Sequence, residues 1–264
     1  IDMEPERAEM ALAHIKDGVR RGLSPYEISI LYEDVVGVHR STIYRWVDAG
    51  YGVLTNLELE RKVGFRPRKR KAARKSTSHT PKRSHDEFLK LPEELRASRT
   101  ELDCVLGRNI DTQAVMTLYN RPSHLQLALL LEEHDCAKEL ANLRSVMPKD
   151  MRERLMRVVL TDNGEEFADE DGIGSIIGER IEDGELEVHL YYCDPRQSQQ
   201  KGGCEKNHTE IRQILEKGLL VFDELTEADM AVLMSHANSN PRESLGGKTP
   251  IQMLRFVYGE DEAS

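Results

Sequence analysis

Three acidic residues stand where a metal-held phosphoryl-transfer site would need them. Asp103 lies inside a strand-like run, TELDCVLG, and Asp162 ends another, RVVLTDNGEEF. Glu205 opens a helix-like stretch after the Pro/Gln/Gly loop of Val188–Gln213, VHLYYCDPRQSQQKGGCEKNHTEIRQ. The intervals between them are 59 and 43 residues. Carboxylate oxygens are hard ligands suited to Mg2+ or Mn2+. Two such ions about 4 Å apart can activate a water or hydroxyl and stabilise the leaving oxygen of an in-line displacement. Each residue alone has a plainer reading. Thr161-Asp162-Asn163-Gly164 is a good turn, strand alternation can put Asp103 on a solvated face, and Glu205 complements a helix dipole. The trio says more, because two strand acids and one helix acid can converge at one end of a sheet.

Those acids need a scaffold. Leu102–Leu106, Ala114–Tyr119 and Leu125–Leu131 read as three strands in meander order. Helices Ala137–Val146 and Lys149–Leu155 follow, then a fourth strand at Arg157–Leu160 and an acidic, Gly-rich loop with some helix over Phe167–Gly184. A fifth strand is expected at Glu187–Cys193, then helices Glu205–Glu216 and Glu227–Ser239. This order predicts an α/β domain: a mixed five-stranded sheet flanked by helices.

A small helical domain precedes it. Glu4–Arg21 has Ala8, Ala11, Leu12, Ile15 and Val19 on one face and ends at Gly22. Ser24-Pro25-Tyr26-Glu27 is a capping-box start for a short helix to Tyr32. A turn around Val35–Val38 leads to a helix over Arg40–Ala49, stopped by Gly50. That spacing suits a helix-turn-helix, with Ile43, Trp46 and Val47 inward and His39, Arg40, Ser41, Thr42 and Arg45 toward DNA. An ordinary three-helix packing unit with a charged outer face fits the same pattern.

The net charge of −10 argues against a nucleic-acid binder until its distribution is read. From Arg61 to His85 there are eleven basic residues, among them Arg68, Lys69, Arg70 and Lys71, and no acid, which leaves −21 on the rest. This is the charge pattern of a phosphate-binding arm beside an acidic body. The expected organisation is a helix-turn-helix domain over 1–60, a basic linker over 61–94 and a catalytic core over 95–264. No apolar run reaches the roughly 18–20 residues of a membrane span, and no signal peptide is visible. Cys104, Cys136, Cys193 and Cys204 lack CxxC spacing, so no structural zinc is expected and the thiols read as reduced and cytosolic. The start at Ile1 suggests a segment of a longer protein.

The chain resembles DDE transposases of the insertion sequence 30 family, which have an integrase-like catalytic core. The matching pieces, in family order, are TIYRWVDAG, LERKVGFRPRKRK, TELDCVLG, VLTDNGEEF, YYCDPRQSQQKGGCEKNHTEIRQILEKG and NSNPRESLGGKTPIQML. The resemblance implies a ribonuclease H-like fold, two Mg2+ or Mn2+ ions, and Asp103, Asp162 and Glu205 as catalytic ligands; it does not carry over Glu210, which lies one turn further along and stays a fallback ligand. It implies action on double-stranded DNA, at terminal repeats and target, by a homo-oligomer in the bacterial cytoplasm, with another helix-turn-helix upstream. The sequence departs from many relatives at Thr100 and Cys204 and in a longer Asp162-to-Glu205 interval. Lys201 and Arg212 flank Glu205 and are candidate phosphate contacts, or simply a solvated flank. His208 reads as structural more readily than as a proton shuttle. Two rivals use the same residues: a catalytically silent DNA-binding regulator, and a general metal-dependent nuclease.

Overall fold

The computed structural model describes residues 3–55, 58–59, 80–108, 110–132, 135–180, 186–195, 197–203, 208, 211–212, 214–215 and 221–259. The chain divides into two compact units, the first running to Ala72 and including Asn240–Thr249, the second holding Ala73–Ser239 and Pro250–Ser264.

In the first unit, α1 spans Pro5–Arg20 and buries Ala8, Ala11, Ile15 and Val19, the stripe its periodicity predicts. The capping box is formed. Ser24 Oγ accepts from the Glu27 N–H at 3.3 Å, and the Glu27 carboxylate accepts from the Ser24 N–H at 2.6 Å. It starts α2, Pro25–Leu31. Where the sequence reading has only a turn, a one-turn helix α3, Glu33–Val36, buries Val36 and ends at Gly37. Gly37 has φ +57°, a left-handed geometry that a side chain would strain. Helix α4, Arg40–Asp48, buries Ile43, Trp46 and Val47 as expected, against Ile15, Ile28 and Val36. The return segment adds a turn at Glu243–Leu245, and Gly247 lies near Tyr26 and Ile30.

The second unit is built on the mixed five-stranded sheet flanked by helices that the sequence predicts. Strands β1 (Thr100–Leu106), β2 (Ala114–Asn120) and β3 (Gln126–Leu131) form an antiparallel meander. Helices α7 (Cys136–Val146) and α8 (Lys149–Leu155) lead to β4 (Val159–Thr161), which pairs parallel with β1. The stretch expected as one fifth strand is split. β6 (Leu186–Glu187) pairs with β5 (Glu179–Arg180) in a separate hairpin, while β7 (Leu190–Tyr192) pairs parallel with β4. Between them His189 Nε2 lies 3.0 Å from a Glu187 carboxylate oxygen, a local contact at the point where the chain changes sheet. The order in the large sheet is β3-β2-β1-β4-β7.

Alternation assigns the two faces. Leu102, Met116, Leu131, Leu190 and Tyr192 pack with α7 and with α9 (Glu170–Ile177), the helix inside the acidic loop. Val105, Val115, Ala128 and Leu130 pack with α10 (Glu227–Ser239), which lies where the sequence puts it. Residues 85–94, left in the linker by the sequence reading, contribute α5 (His85–Lys90) and the start of α6 (Glu93–Ala97). Phe88, Leu91 and Leu95 cover Leu160 and Tyr191. A three-residue apolar spacing in so short and charged a stretch gives little periodicity to detect. Helix α11 (Pro250–Tyr258) returns to this unit, where the Tyr258 hydroxyl donates to Asn120 Oδ1 at 3.3 Å. No helix among the described residues is long and apolar enough to cross a membrane.

Candidate active site

Register brings two of the three acids together. Glu101 of β1 pairs with Leu160 of β4 in a parallel ladder, so two residues further on Asp103 stands level with Asp162 on the same face. Asp103 is mid-strand, and Asp162 follows the last residue of β4. Each carboxylate is oriented by its own backbone. Asp103 Oδ1 accepts from the Cys104 N–H at 2.8 Å, and Asp162 Oδ1 accepts from the Gly164 N–H at 3.1 Å. The Oδ2 atoms converge on one cation: Lys201 Nζ lies 3.2 Å from Asp103 Oδ2 and 3.3 Å from Asp162 Oδ2. Asp103 is mostly enclosed, its side chain 16% exposed, while Asp162 at 42% faces the opening.

Neighbouring groups fix this corner. Asn163 Nδ2 donates to the Cys193 carbonyl at 2.6 Å, tying the end of β4 to the end of β7. Thr117, opposite Asp103 on β2, donates to the Asp103 carbonyl at 3.2 Å and lies 2.9 Å from His208 Nε2. His208 Nδ1 is 3.6 Å from Asp103 Oδ2. Burial pushes the His208 ring below its ordinary pKa and so favours the neutral imidazole, while Asp103 pulls the other way. Burial likewise pushes the Cys193 thiol up to about 12. Arg212 Nη2 donates to the Leu106 carbonyl at 2.7 Å, and its Nη1 is buried without a hydrogen-bond partner among the described residues.

The sequence-predicted residues therefore divide. Asp103 and Asp162 meet. Glu205 and the fallback Glu210 lie outside the described residues, as do Arg68, Lys69, Arg70 and Lys71; among the described residues no three His, Cys, Asp or Glu side chains cluster as a metal site. Lys201, expected on a phosphate or a solvated flank, is 2% exposed and lies between the two aspartates. Arg212 is half-buried on a strand carbonyl. In the first unit Ser41 and Arg45 are exposed and Thr42 is half-buried, accepting from Arg45 at 3.1 Å. Arg40 lies over the Tyr26 ring and is paired with Glu243.

Two features escape sequence reasoning. Glu101 has no exposed surface and is paired with Arg99, whose Nε donates to it at 3.1 Å. A Cβ on Gly203 would stand 2.2 Å from the Tyr119 ring and 2.8 Å from Glu101 Oε2. The glycine pair after Lys201 is the only sequence trace of that close approach. The carboxylate pair fits a divalent cation. It offers hard oxygen donors on two rigid strands, oriented toward a point that already attracts positive charge.

No family model matches the chain. Over 256 residues it is 26% identical to the transposase for insertion sequence element IS4351 of Bacteroides fragilis, an alignment covering 93% of this chain and 73% of that protein. Over 159 residues it is 26% identical to the transposase for insertion sequence element IS1086 of Cupriavidus metallidurans, covering 60% of this chain but 43% of that protein. Among solved structures, the catalytic core domain of BIV integrase aligns at TM-score 0.38 and 17% identity, over 61% of this chain and 95% of that one.

Proposed function

We propose that this chain is a DDE transposase, and within that class a member of the insertion sequence 30 family, which cuts transposon ends and joins them to target DNA. The observation that carries the reading is the convergence of the Asp103 and Asp162 Oδ2 atoms on a single cation, from the middle of β1 and the end of the adjacent parallel strand β4. Similarity to two insertion-sequence transposases supports it, over 93% of the chain for one and 60% for the other. Asp103, Asp162 and Glu205 are the proposed ligands of two Mg2+ or Mn2+ ions.

Bound there, the metal would supply Lewis-acid activation of water or a 3′ hydroxyl and stabilisation of the leaving oxygen. The protein supplies position. The Cys104 and Gly164 N–H groups orient the two carboxylates through their Oδ1 atoms, the kind of preorganisation that stabilises developing charge. Asn163 holds the end of β4 that carries Asp162, and Thr117 holds the middle of β1 at Asp103. Asp162, the more exposed of the pair, faces the side from which a phosphodiester would approach. In the first unit Ser41, Thr42 and Arg45 of α4, with Arg40 at its start, would read the terminal repeat, and Arg68–Lys71 would hold its phosphates. Joining two ends calls for at least a dimer on DNA. The place of action is the bacterial cytoplasm, on the chromosome.

The test uses duplex DNA carrying the sequences that flank the protein's own gene. With Mg2+ or Mn2+, wild type nicks one strand at the element boundary and joins the freed 3′ end to a second duplex. Asp103→Asn and Asp162→Asn each lower nicking by about a thousandfold or more, in line with loss of a charge-stabilising catalytic group, while DNA binding persists. Equal inertness of wild type and variants, with binding intact, would establish the silent regulator instead. Cleavage of any duplex without joined products would establish a general nuclease.

A further inference from the structure

The cation between the aspartates belongs to the chain itself. Lys201 Nζ donates to the Leu102 carbonyl at 2.9 Å and lies 3.2 and 3.3 Å from the two Oδ2 atoms. Three oxygens match the three N–H donors of an ammonium. A lysine this deeply placed is unstable without partners, and two carboxylates facing one point repel unless a cation separates them. Each half of the arrangement therefore stabilises the other. The Oδ2 atoms are also those that a divalent ion would need. A divalent ion held by those oxygens would face the ammonium across a few ångströms, where like charges repel, so ion and ammonium compete for the pair.

We infer that Lys201 is a tethered counter-cation: it holds Asp103 and Asp162 together, competes with divalent metal for them, and is expelled toward the substrate phosphate when metal loads. This rests on the reading of the two aspartates as metal ligands. The tether suits an exchange of this kind. Lys201 ends a single 3-10 turn, Ser198–Lys201, and a side chain built on Gly202 would meet nothing within 4 Å, so open space adjoins the lysine's end of the turn. Gly203, by contrast, is packed against Tyr119 and anchors the chain beyond it. An expelled ammonium would remain four residues from Glu205. Metal loading would thus exchange an internal ion pair for a contact with DNA.

The experiment is Mn2+ titration calorimetry on the full chain without DNA, in wild type, Lys201→Met, Lys201→Gln and Asp162→Asn. Both lysine variants should bind Mn2+ roughly tenfold or more tighter than wild type, since a neighbouring positive charge is gone. Both should melt below wild type without Mn2+ and regain stability with it. A second measurement needs no variant. Acetylation of wild type by an activated ester, followed by mass spectrometry, should leave Lys201 protected without Mn2+ and modify it when Mn2+ is added. Binding that is lost in Asp162→Asn yet no tighter in either lysine variant, or Lys201 labelling indifferent to Mn2+, would overturn the inference while leaving the transposase reading intact. Binding that survives Asp162→Asn unchanged would sink the two-aspartate site itself, and the inference with it.

Discussion

Around the proposed ligands, charges are held in fixed pairs. Asp103 and Asp162 share Lys201, and one strand position earlier on the same face Glu101 is paired with Arg99. The Glu101 side chain has no exposed surface and Arg99 is 17% exposed, so solvent screens the pair little. Removing one partner leaves a buried charge uncompensated, which costs about 3–5 kcal/mol. Glu101→Ala is therefore expected to destabilise by about 3 kcal/mol, the low end because Arg99 keeps some water. Urea denaturation measures this. The double change Arg99→Met with Glu101→Leu should recover most of the loss, because an apolar pair removes the desolvation penalty as well. A double variant as unstable as the single one would mean that the ion pair is worth more than its burial costs.

At the scale of elements, Gly203 fixes the chain just after Lys201, two residues before the proposed third ligand in sequence. A Cβ there would overlap the Tyr119 ring at 2.2 Å, and that ring stands on β2 beside the buried Glu101. Since Tyr119 is 3% exposed, neither partner can yield without moving the turn that bears Lys201. Gly203→Ala should lower nicking by about a hundredfold, the scale expected of a 1 Å displacement of catalytic groups, with DNA binding unchanged by gel shift. Full activity would show that the turn has slack. The same contrast explains what could be read from the sequence. β2 and β3 were legible as nearly continuous apolar runs, and Asp103 and Asp162 were read, together with Glu205, as acids able to converge at one end of a sheet. The split of the last strand, the folding of residues 85–94 against Tyr191 and the seat of Lys201 were not. Each depends on contacts between residues far apart in the chain, which neither period nor propensity records. Lys201 in particular looks like any lysine in a polar loop until β1 and β4 are brought side by side.

At the scale of the whole molecule, charge segregation governs the approach to DNA. The chain carries −10, yet the stretch from Arg61 to His85 has eleven basic residues and no acid, and the remainder holds −21. A duplex meeting the acidic remainder is repelled, so affinity must come from a few concentrated cations that release counterions from the phosphates. Each phosphate contact contributes about 0.9 to the slope of log affinity against log salt. Changing Arg68, Lys69, Arg70 and Lys71 together to glutamine should flatten that slope by about 3–4, measured by fluorescence anisotropy between about 50 and 200 mM salt. The loss should be nearly equal for end and random DNA, since phosphate contacts do not read sequence. Arg45→Ala on α4 should instead narrow the gap between end and random DNA while changing the slope by about 1 at most. An unchanged slope in the quadruple variant would remove the arm from the interface. Affinity would then have to arise from the exposed face of α4, whose Arg40 is already paired with Glu243 and so offers less charge to a phosphate than its position in the sequence suggests.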